Sequence, residues 1–527
     1  MIILGKLFYD HSNQTKPNMQ QSYTKNYIKI YSWQGVSFIL NLLSMFIVVP
    51  YISSNKDIFG VYTICISITL FLSYADLGFM SAGQKYAAEH LVRGEADMEA
   101  KLIGFVSFIL LIFLILFSLL FFYLSLHPWL LIRKLVPGVE FSIASTLLLI
   151  LAISTPINLL QRIVQIIFGI RLEGYIVQRI NIIGSLIRIL SVLWFFRIGH
   201  YNIVGYFIFA QIILFLTVII ALISARRRYN YNFRLLAISI WFSKEIFSKT
   251  KRLAFSGLYL TIVWILYYEM DPTIIGKFIG AKEVAIYAIG LTLLSFFRGV
   301  LGILFFPFNN RWFHFIGAND VEGLKTFCLH VITITAPLVI IPIITITIFI
   351  KSFILSWVGV KYIGSVDIAR YLVLCNLFAF ISYPTSEILF AQERLRLITI
   401  FGTILPFVYW VGIVLTYPYL GLKAFAIFKL FIFGISGIAY GFIIIKFLNI
   451  SFKRFLRKIF QPMLLPIIFL FVSAFIVKGF MPYGKSSLNL LIVTTTAGCL
   501  MLITFILLYF SSTDIRKYIV KIFQQYE

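Results

Sequence analysis

Apolar segments of about 20 residues follow one another along this chain, and each is long enough as a helix to cross ~30 Å of hydrocarbon. Fourteen can be marked, at about residues 28–51, 58–81, 102–126, 140–163, 174–197, 203–225, 253–276, 284–308, 326–350, 366–390, 397–417, 420–447, 462–480 and 487–510. Of the 527 residues 61% are hydrophobic and only 12% charged, with a mean hydropathy of +0.96. Soluble domains carry roughly 25% charged residues, so this chain cannot cover a water-facing surface. The short alternating strands of an outer-membrane barrel are not found. The sequence describes an all-α polytopic membrane protein of about 14 transmembrane helices.

The 45 basic and 20 acidic residues give a net charge of +25. With both termini inside, the cytoplasmic segments hold about 29 Lys and Arg and the outer loops about 11, the bias of the positive-inside rule. Most of the charge is therefore topological and does not call for nucleic acid. The first 25 residues lack the charged-then-apolar layout of a signal peptide and read as a cytoplasmic tail. The densest basic block, 226–252, sets Leu235, Ile238, Trp241 and Ile246 among cations, the pattern of an interfacial helix on anionic lipid headgroups. A second basic loop, 451–458, precedes the last two spans.

The chain also repeats itself. GEADME (94–99) matches GANDVE (317–322), and KDIFGVYTI (56–64) parallels KEVAIYAIG (282–290), setting Tyr62 opposite Tyr287. Both offsets are close to 225 residues. An even number of spans separates the copies, so the halves share orientation about an axis along the membrane normal. The expected organisation is a tail (1–25), an N-lobe (26–225), a basic linker (226–252), a C-lobe (253–447), and a basic loop with the last two spans and a cytoplasmic tail (448–527). That is two pseudo-symmetric six-helix lobes plus a terminal helix pair, with substrate sites of such transporters near mid-membrane.

Several spans carry polar residues on one helical face: Gln34, Ser37, Asn41 and Ser44 in the first; Gln178, Asn181, Ser185, Arg188 and Ser191 in the fifth; Gly257, Thr261, Trp264, Tyr268 and Asp271 in the seventh. Such stripes line either a hydrated cavity or a dry helix interface. By depth, Arg188 and Arg298 fall ~20 Å into their spans, and Lys429 ~14 Å from the outer end of its own. Arg179 and Arg370 are near enough to a surface to snorkel. Deep cations without partners would make an anion site, with Arg188, Arg298, Lys429, Gln34, Asn41 and Asn181 as substrate contacts. Pairing of a deep Arg with Glu269 or Asp271 is the alternative.

Those two acids sit in WILYYEMDPTIIGKFIG (264–280), where an ionised carboxylate costs several kcal/mol. Asp271 belongs to the polar stripe and precedes Pro272, which can bend the helix. A carboxylate that must leave water in one state is a candidate proton carrier, so Asp271 reads as the coupling or gating group and Glu269 as the more structural one. Coupling to H+ or Na+ is the only cofactor-like requirement.

GFMPYGKS (479–486) matches the phosphate-loop pattern, but as a turn between two spans it lacks the strand and helix that nucleotide binding needs. Cys65, Cys328, Cys375 and Cys499 lie singly in apolar segments, and the six histidines lack ligand spacing. Gly434, Gly437 and Gly441 form a small-residue face read as close helix packing.

With these residues placed, the chain resembles Wzx-type polysaccharide flippases of the multidrug/oligosaccharidyl-lipid/polysaccharide exporter superfamily. The resemblance lies in 59–79, 85–100 and 270–294 and covers roughly 26–450 in arrangement. A Gly-x-Tyr entry into span two, an Asp-Leu-Gly exit and an acid in span seven are matched by Gly60, Tyr62, Asp76, Leu77, Gly78 and Asp271. It implies alternating access, a cationic lumen for an undecaprenyl-pyrophosphate-linked oligosaccharide, and a non-enzymatic role in O-antigen or other surface-polysaccharide assembly. A bacterial inner-membrane protein working as a monomer, beside other polysaccharide-assembly proteins, is expected. A drug/cation antiporter of the same superfamily would want a net acidic lumen, and a membrane glycosyltransferase or polymerase a larger outer loop than 127–139.

Overall fold

The computed structural model describes residues 17–72, 78–197, 199–317, 320–392, 395–512 and 516, and among them the regular elements are helices. The helices of the first part are α1 (Pro17–Ile52), α2 (Lys56–Leu72), α3 (Phe79–Val92), α4 (Ala96–Leu126), α5 (Val139–Ser154), α6 (Ile157–Ile170), α7 (Gly174–Phe195), α8 (Ile203–Tyr229), α9 (Phe233–Ile238), α10 (Lys244–Trp264) and α11 (Asp271–Phe278). Then come α12 (Ala281–Gly317), α13 (Val321–Trp357), α14 (Ser365–Leu374), α15 (Ala379–Ala391), α16 (Leu395–Leu420), α17 (Lys423–Leu448), α18 (Phe452–Lys478) and α19 (Ser487–Ser511).

Ten of these helices are long and apolar enough to cross a membrane alone. Two more spans are bent pairs, α5–α6 by 45° and α14–α15 by 46°. At the first bend Pro156 supplies no N–H, and Thr155 turns its hydroxyl onto the Leu151 carbonyl at 2.7 Å. Of the two remaining segments, 58–81 holds most of α2 and the start of α3, with residues 73–77 outside the described residues, and 253–276 is an interrupted helix in which α10 breaks before α11. Among the described residues each of the fourteen segments is thus mainly helical. Residues 1–16 of the expected tail lie outside the described residues, and the basic stretch 451–458 is the first two turns of α18, capped by Ser451.

Contacts divide the chain into two compact units, one running to Ala285 and one from Ile286 onward. The division falls inside α12 instead of in the 226–252 segment, because α10 and α11 pack on α3 and α2. In the first unit α1 lies along α7, α4 packs between α3 and α5, and α8 joins α6 and α7. In the second, α13 is the central helix, touching α14, α15, α18 and α19, while α17 joins α14, α15 and α16.

The internal repeat is visible in the helices themselves. α4 and α13 start 225 positions apart, as do α2 and α12, and the two bent pairs occupy matching places. Tyr62 sets its ring edge against Phe207 of α8 (6.1 Å, 90°), and Tyr287 does the same against Phe425 of α17 (6.2 Å, 69°). The tyrosines paired in the sequence therefore perform one packing job in each half.

Candidate functional site

In the first unit two of the three polar-striped spans, α1 and α7, are neighbours. Leu40 of α1 and Ile182 and Ile189 of α7 form a buried seam, with Trp33 and Val48 packed on it. The exposed apolar residues of α1 include Val36, Ile39, Leu43 and Ile47, and those of α7 include Ile183, Leu186, Ile187 and Leu190. At 3.6 residues per turn, the Gln34/Asn41 face lies roughly 165° from the apolar face of α1, and the Asn181/Arg188 face roughly 160° from that of α7. Each helix thus has one face suited to lipid and a separate polar face. Asn41 is exposed, whereas Gln34, Asn181 and Arg188 are half-buried. The buried Gln178 Oε1 lacks a hydrogen-bond partner among the described residues.

Arg188 is held by its own helix: Nη2 donates to Ser185 Oγ at 2.8 Å. The hydroxyls of Tyr62 and Tyr206 lie within electrostatic reach of its guanidinium. Among the described residues no carboxylate pairs with it. A half-buried cation surrounded by hydroxyl groups retains donors for an incoming anion. Arg179, expected to snorkel, is exposed and sits 5.2 Å over the Trp33 ring.

The other two expected cations belong to the second unit. Arg298 on α12 is half-buried within electrostatic reach of Tyr383, whose ring stacks on Phe305 at 5.0 Å. Lys429 on α17 is fully enclosed, with Nζ 5.4 Å from the centroid of the Tyr409 ring. Arg370 pairs with Asp367 at 3.3 Å, and Lys423 joins the same carboxylate at 2.6 Å.

Span seven is where the sequence reading needed most revision. Residues Ile265–Glu269 form a π-helical turn, and α11 begins afresh at Asp271. Pro272 therefore occupies the first turn of a new helix, where its missing N–H costs nothing, instead of bending a continuous one. Asp271 is fully buried at a helix N-terminus, which the helix dipole favours for a carboxylate, and Glu269 is 7% exposed. Trp264 stacks on Tyr268 at 3.9 Å across the start of the break, while the surroundings of Gly257 and the Thr261 side chain lie outside what is described. Widened turns of this kind concentrate at functional sites.

The glycines carrying the family resemblance have local causes. A Cβ on Gly60 would come 1.9 Å from the Ala281 carbonyl oxygen, and Gly78 has φ +80 with the Ala254 carbonyl 2.5 Å from its Cβ position. Asp76 and Leu77 lie outside the described residues. Gly437 makes the close approach expected of it, since a Cβ there would come 2.4 Å from that of Phe378 between α14 and α15. A Cβ on Gly434 or Gly441 would meet nothing within 4 Å, and Gly441 lines an apolar cavity of about 550 Å³ with Phe442, Phe455 and Phe460. The stretch 479–486 is the turn from α18 to α19, as its setting between two spans requires.

Sequence reasoning missed two ion clusters at the α6–α7 turn. Arg171 grips Glu99 with two 2.9 Å hydrogen bonds, and Glu99 is 1% exposed. The Arg171 guanidinium also lies 4.8 Å from the Tyr229 ring and 5.5 Å from that of Tyr231. Two residues on, Glu173 accepts from Arg228 at 2.5 and 2.7 Å and from the Tyr229 hydroxyl. The only signal was the pair of charges in RLEG (171–174), which does not name partners 55 and 72 residues away.

Among the described residues no three His, Cys, Asp or Glu side chains gather as a metal site. No protein-family model matches the sequence, and no curated protein does. Solved structures do share the fold. The lipid II flippase MurJ in an inward closed conformation is similar at 15% identity and TM-score 0.66, over 91% of this chain and 98% of that one. A multidrug resistance MATE family transporter of the MOP superfamily, inward-facing, is similar at 14% identity and TM-score 0.62, over 78% and 94%. The eukaryotic MATE transporter AtDTX14 follows at 13% identity and TM-score 0.55, over 84% and 99%. This multi-pass membrane protein has the all-helical fold of the MOP-superfamily transporters.

Proposed function

We propose that the chain is a flippase of the Wzx type, moving an undecaprenyl-pyrophosphate-linked oligosaccharide to the outer leaflet of a bacterial inner membrane by alternating access. It makes or breaks no covalent bond, and one copy of the chain suffices. The carrying observation is Arg188: a guanidinium on the polar face of α7, fixed by Ser185 and lacking a carboxylate partner among the described residues. Planar donors of this kind suit pyrophosphate oxygens, and nearby hydroxyl and amide groups suit sugars. MurJ, a structural neighbour, is itself described as a lipid II flippase. Arg298 and Lys429 complete the proposed cation set in the second unit, with Gln34, Asn41 and Asn181 as polar contacts in the first. Asp271 is the proposed coupling carboxylate, with H+ or Na+ as the coupling ion, and Glu269 supports the break.

The buried acids Asp271 and Glu269 favour a second reading, an antiporter of drug cations. Proteoliposomes separate the two. A fluorescent pyrophosphate-linked oligosaccharide lipid should cross in the presence of the protein while ethidium efflux stays at the background of empty vesicles. Ethidium transport with an immobile glycan lipid would replace the flippase with the antiporter.

A further inference from the structure

The 226–252 segment folds back so that α9 packs on α4, and it leaves a crevice against α6 and α8. α8 ends in the left-handed Asn230, Asn232 caps α9 through the Leu235 N–H, and the chain turns back. At the far end of α9 the Ser239 carbonyl lies where a Cβ on Gly104 of α4 would stand, 2.4 Å away. Trp241 and Phe242 then pack on Phe108 and Phe105 of α4. The short helix is thereby pinned at both ends. Between α6, α8 and α9 remains a cavity of about 390 Å³, lined by Leu160, Ile163, Leu222, Ile223 and Phe233, with Arg226 the one charged lining residue among those described.

The charges and the apolar wall are ordered as in a phospholipid. Leu222 and Ile223 precede Arg226 by one helical turn, so an apolar group between them lies ~5 Å deeper than an anion on the guanidinium. Ile238 and Trp241, 71% and 74% exposed, mark the depth as interfacial. Arg228 is engaged by Glu173, but among the described residues Arg226, Arg227 and Arg234 form no ion pair with a carboxylate. Three such exposed cations would repel the ammonium of a zwitterionic headgroup and attract a net negative one. We propose that this crevice holds an acyl chain of one anionic glycerophospholipid, drawn from the leaflet bordering the basic segment, with its phosphate on Arg226. The lipid braces α9 against α6 and α8. The assignment is independent of the transported substrate.

Native mass spectrometry of the purified full chain, incubated with phosphatidylglycerol or phosphatidylcholine, tests the site. The wild type should retain one phosphatidylglycerol about tenfold better than phosphatidylcholine, the ratio expected of one charge-assisted contact. Arg226→Gln should lose that preference, whereas Arg227→Gln, outside the crevice, should keep it. Ala237→Trp, which fills the crevice from an exposed position on α9, should abolish retention of the single lipid. Equal weakening by the two arginine variants would mean diffuse attraction to the basic segment and would overturn the site. Wild-type retention in Arg226→Gln, or in a folded Ala237→Trp, would overturn it as well. Should the tryptophan variant not fold, the contrast between the two arginine variants still decides.

Discussion

Ser67 on α2 and Thr273 on α11 bring their hydroxyl oxygens to 3.3 Å, tying the segment that starts at Asp271 to the second span. The same segment is gripped at its other end, where the Arg133 N–H donates to the Gly276 carbonyl at 2.9 Å and Nη1 to that of Phe278 at 2.8 Å. Gly276 lets the Ile64 side chain approach to 2.7 Å of where a Cβ would be. α11 is therefore a docked rigid piece, and the π-helical turn before it is the natural joint.

A charge change at Asp271 acts on that joint. Asp271→Asn is expected to fold, to bind substrate with affinity within about threefold of wild type, and to flip it without responding to an imposed pH gradient. Glu269→Gln should retain the response. Gradient-driven flipping in proteoliposomes checks both, and an unchanged gradient dependence in Asp271→Asn would remove this residue from the coupling role.

Glu99 and Arg171 predict a stability effect. Removing one partner of a buried, bidentate ion pair leaves the other charge uncompensated, at a cost of about 3–5 kcal/mol. Glu99→Gln should lower the melting temperature in detergent markedly, with transport per folded molecule little changed. A melting temperature equal to wild type would show that the pair contributes nothing.

Glu173 sets a pH limit on the same end of the first unit. The Arg228 hydrogen bonds hold its carboxyl below the ordinary value near 4.5, outweighing burial, which acts the other way. A lowered carboxylate stabilises the fold fully above its ordinary value, and that contribution fades as pH falls through the lowered one. Below about pH 4.5 the melting temperature of the wild type should therefore fall more steeply than that of Glu173→Gln. Parallel acid limbs in the two proteins would contradict the assignment.

The spans were legible because the thickness of hydrocarbon imposes its length on the sequence, and Tyr62 and Tyr287 betrayed the repeat because each fills the same niche. The breaks were less legible. The bend at Pro156 and the widened turn at Ile265–Glu269 change the backbone path without changing apolar character, so span four read as 140–163 although its two helices run from Val139 to Ile170. Charge depth could be counted along a helix, which singled out Arg188. Partners could not, because Glu99 meets Arg171 only through the packing of helices distant in sequence.

The central claim is that Arg188 receives the pyrophosphate of a lipid-linked glycan, and its most direct test is the flipping rate of Arg188→Ala in proteoliposomes loaded with such a lipid. Loss of a half-buried, charge-assisted contact predicts a fall of about thirtyfold or more at normal protein content, with Arg188→Lys in between because the planar fork is gone. A wild-type rate in Arg188→Ala would contradict the account.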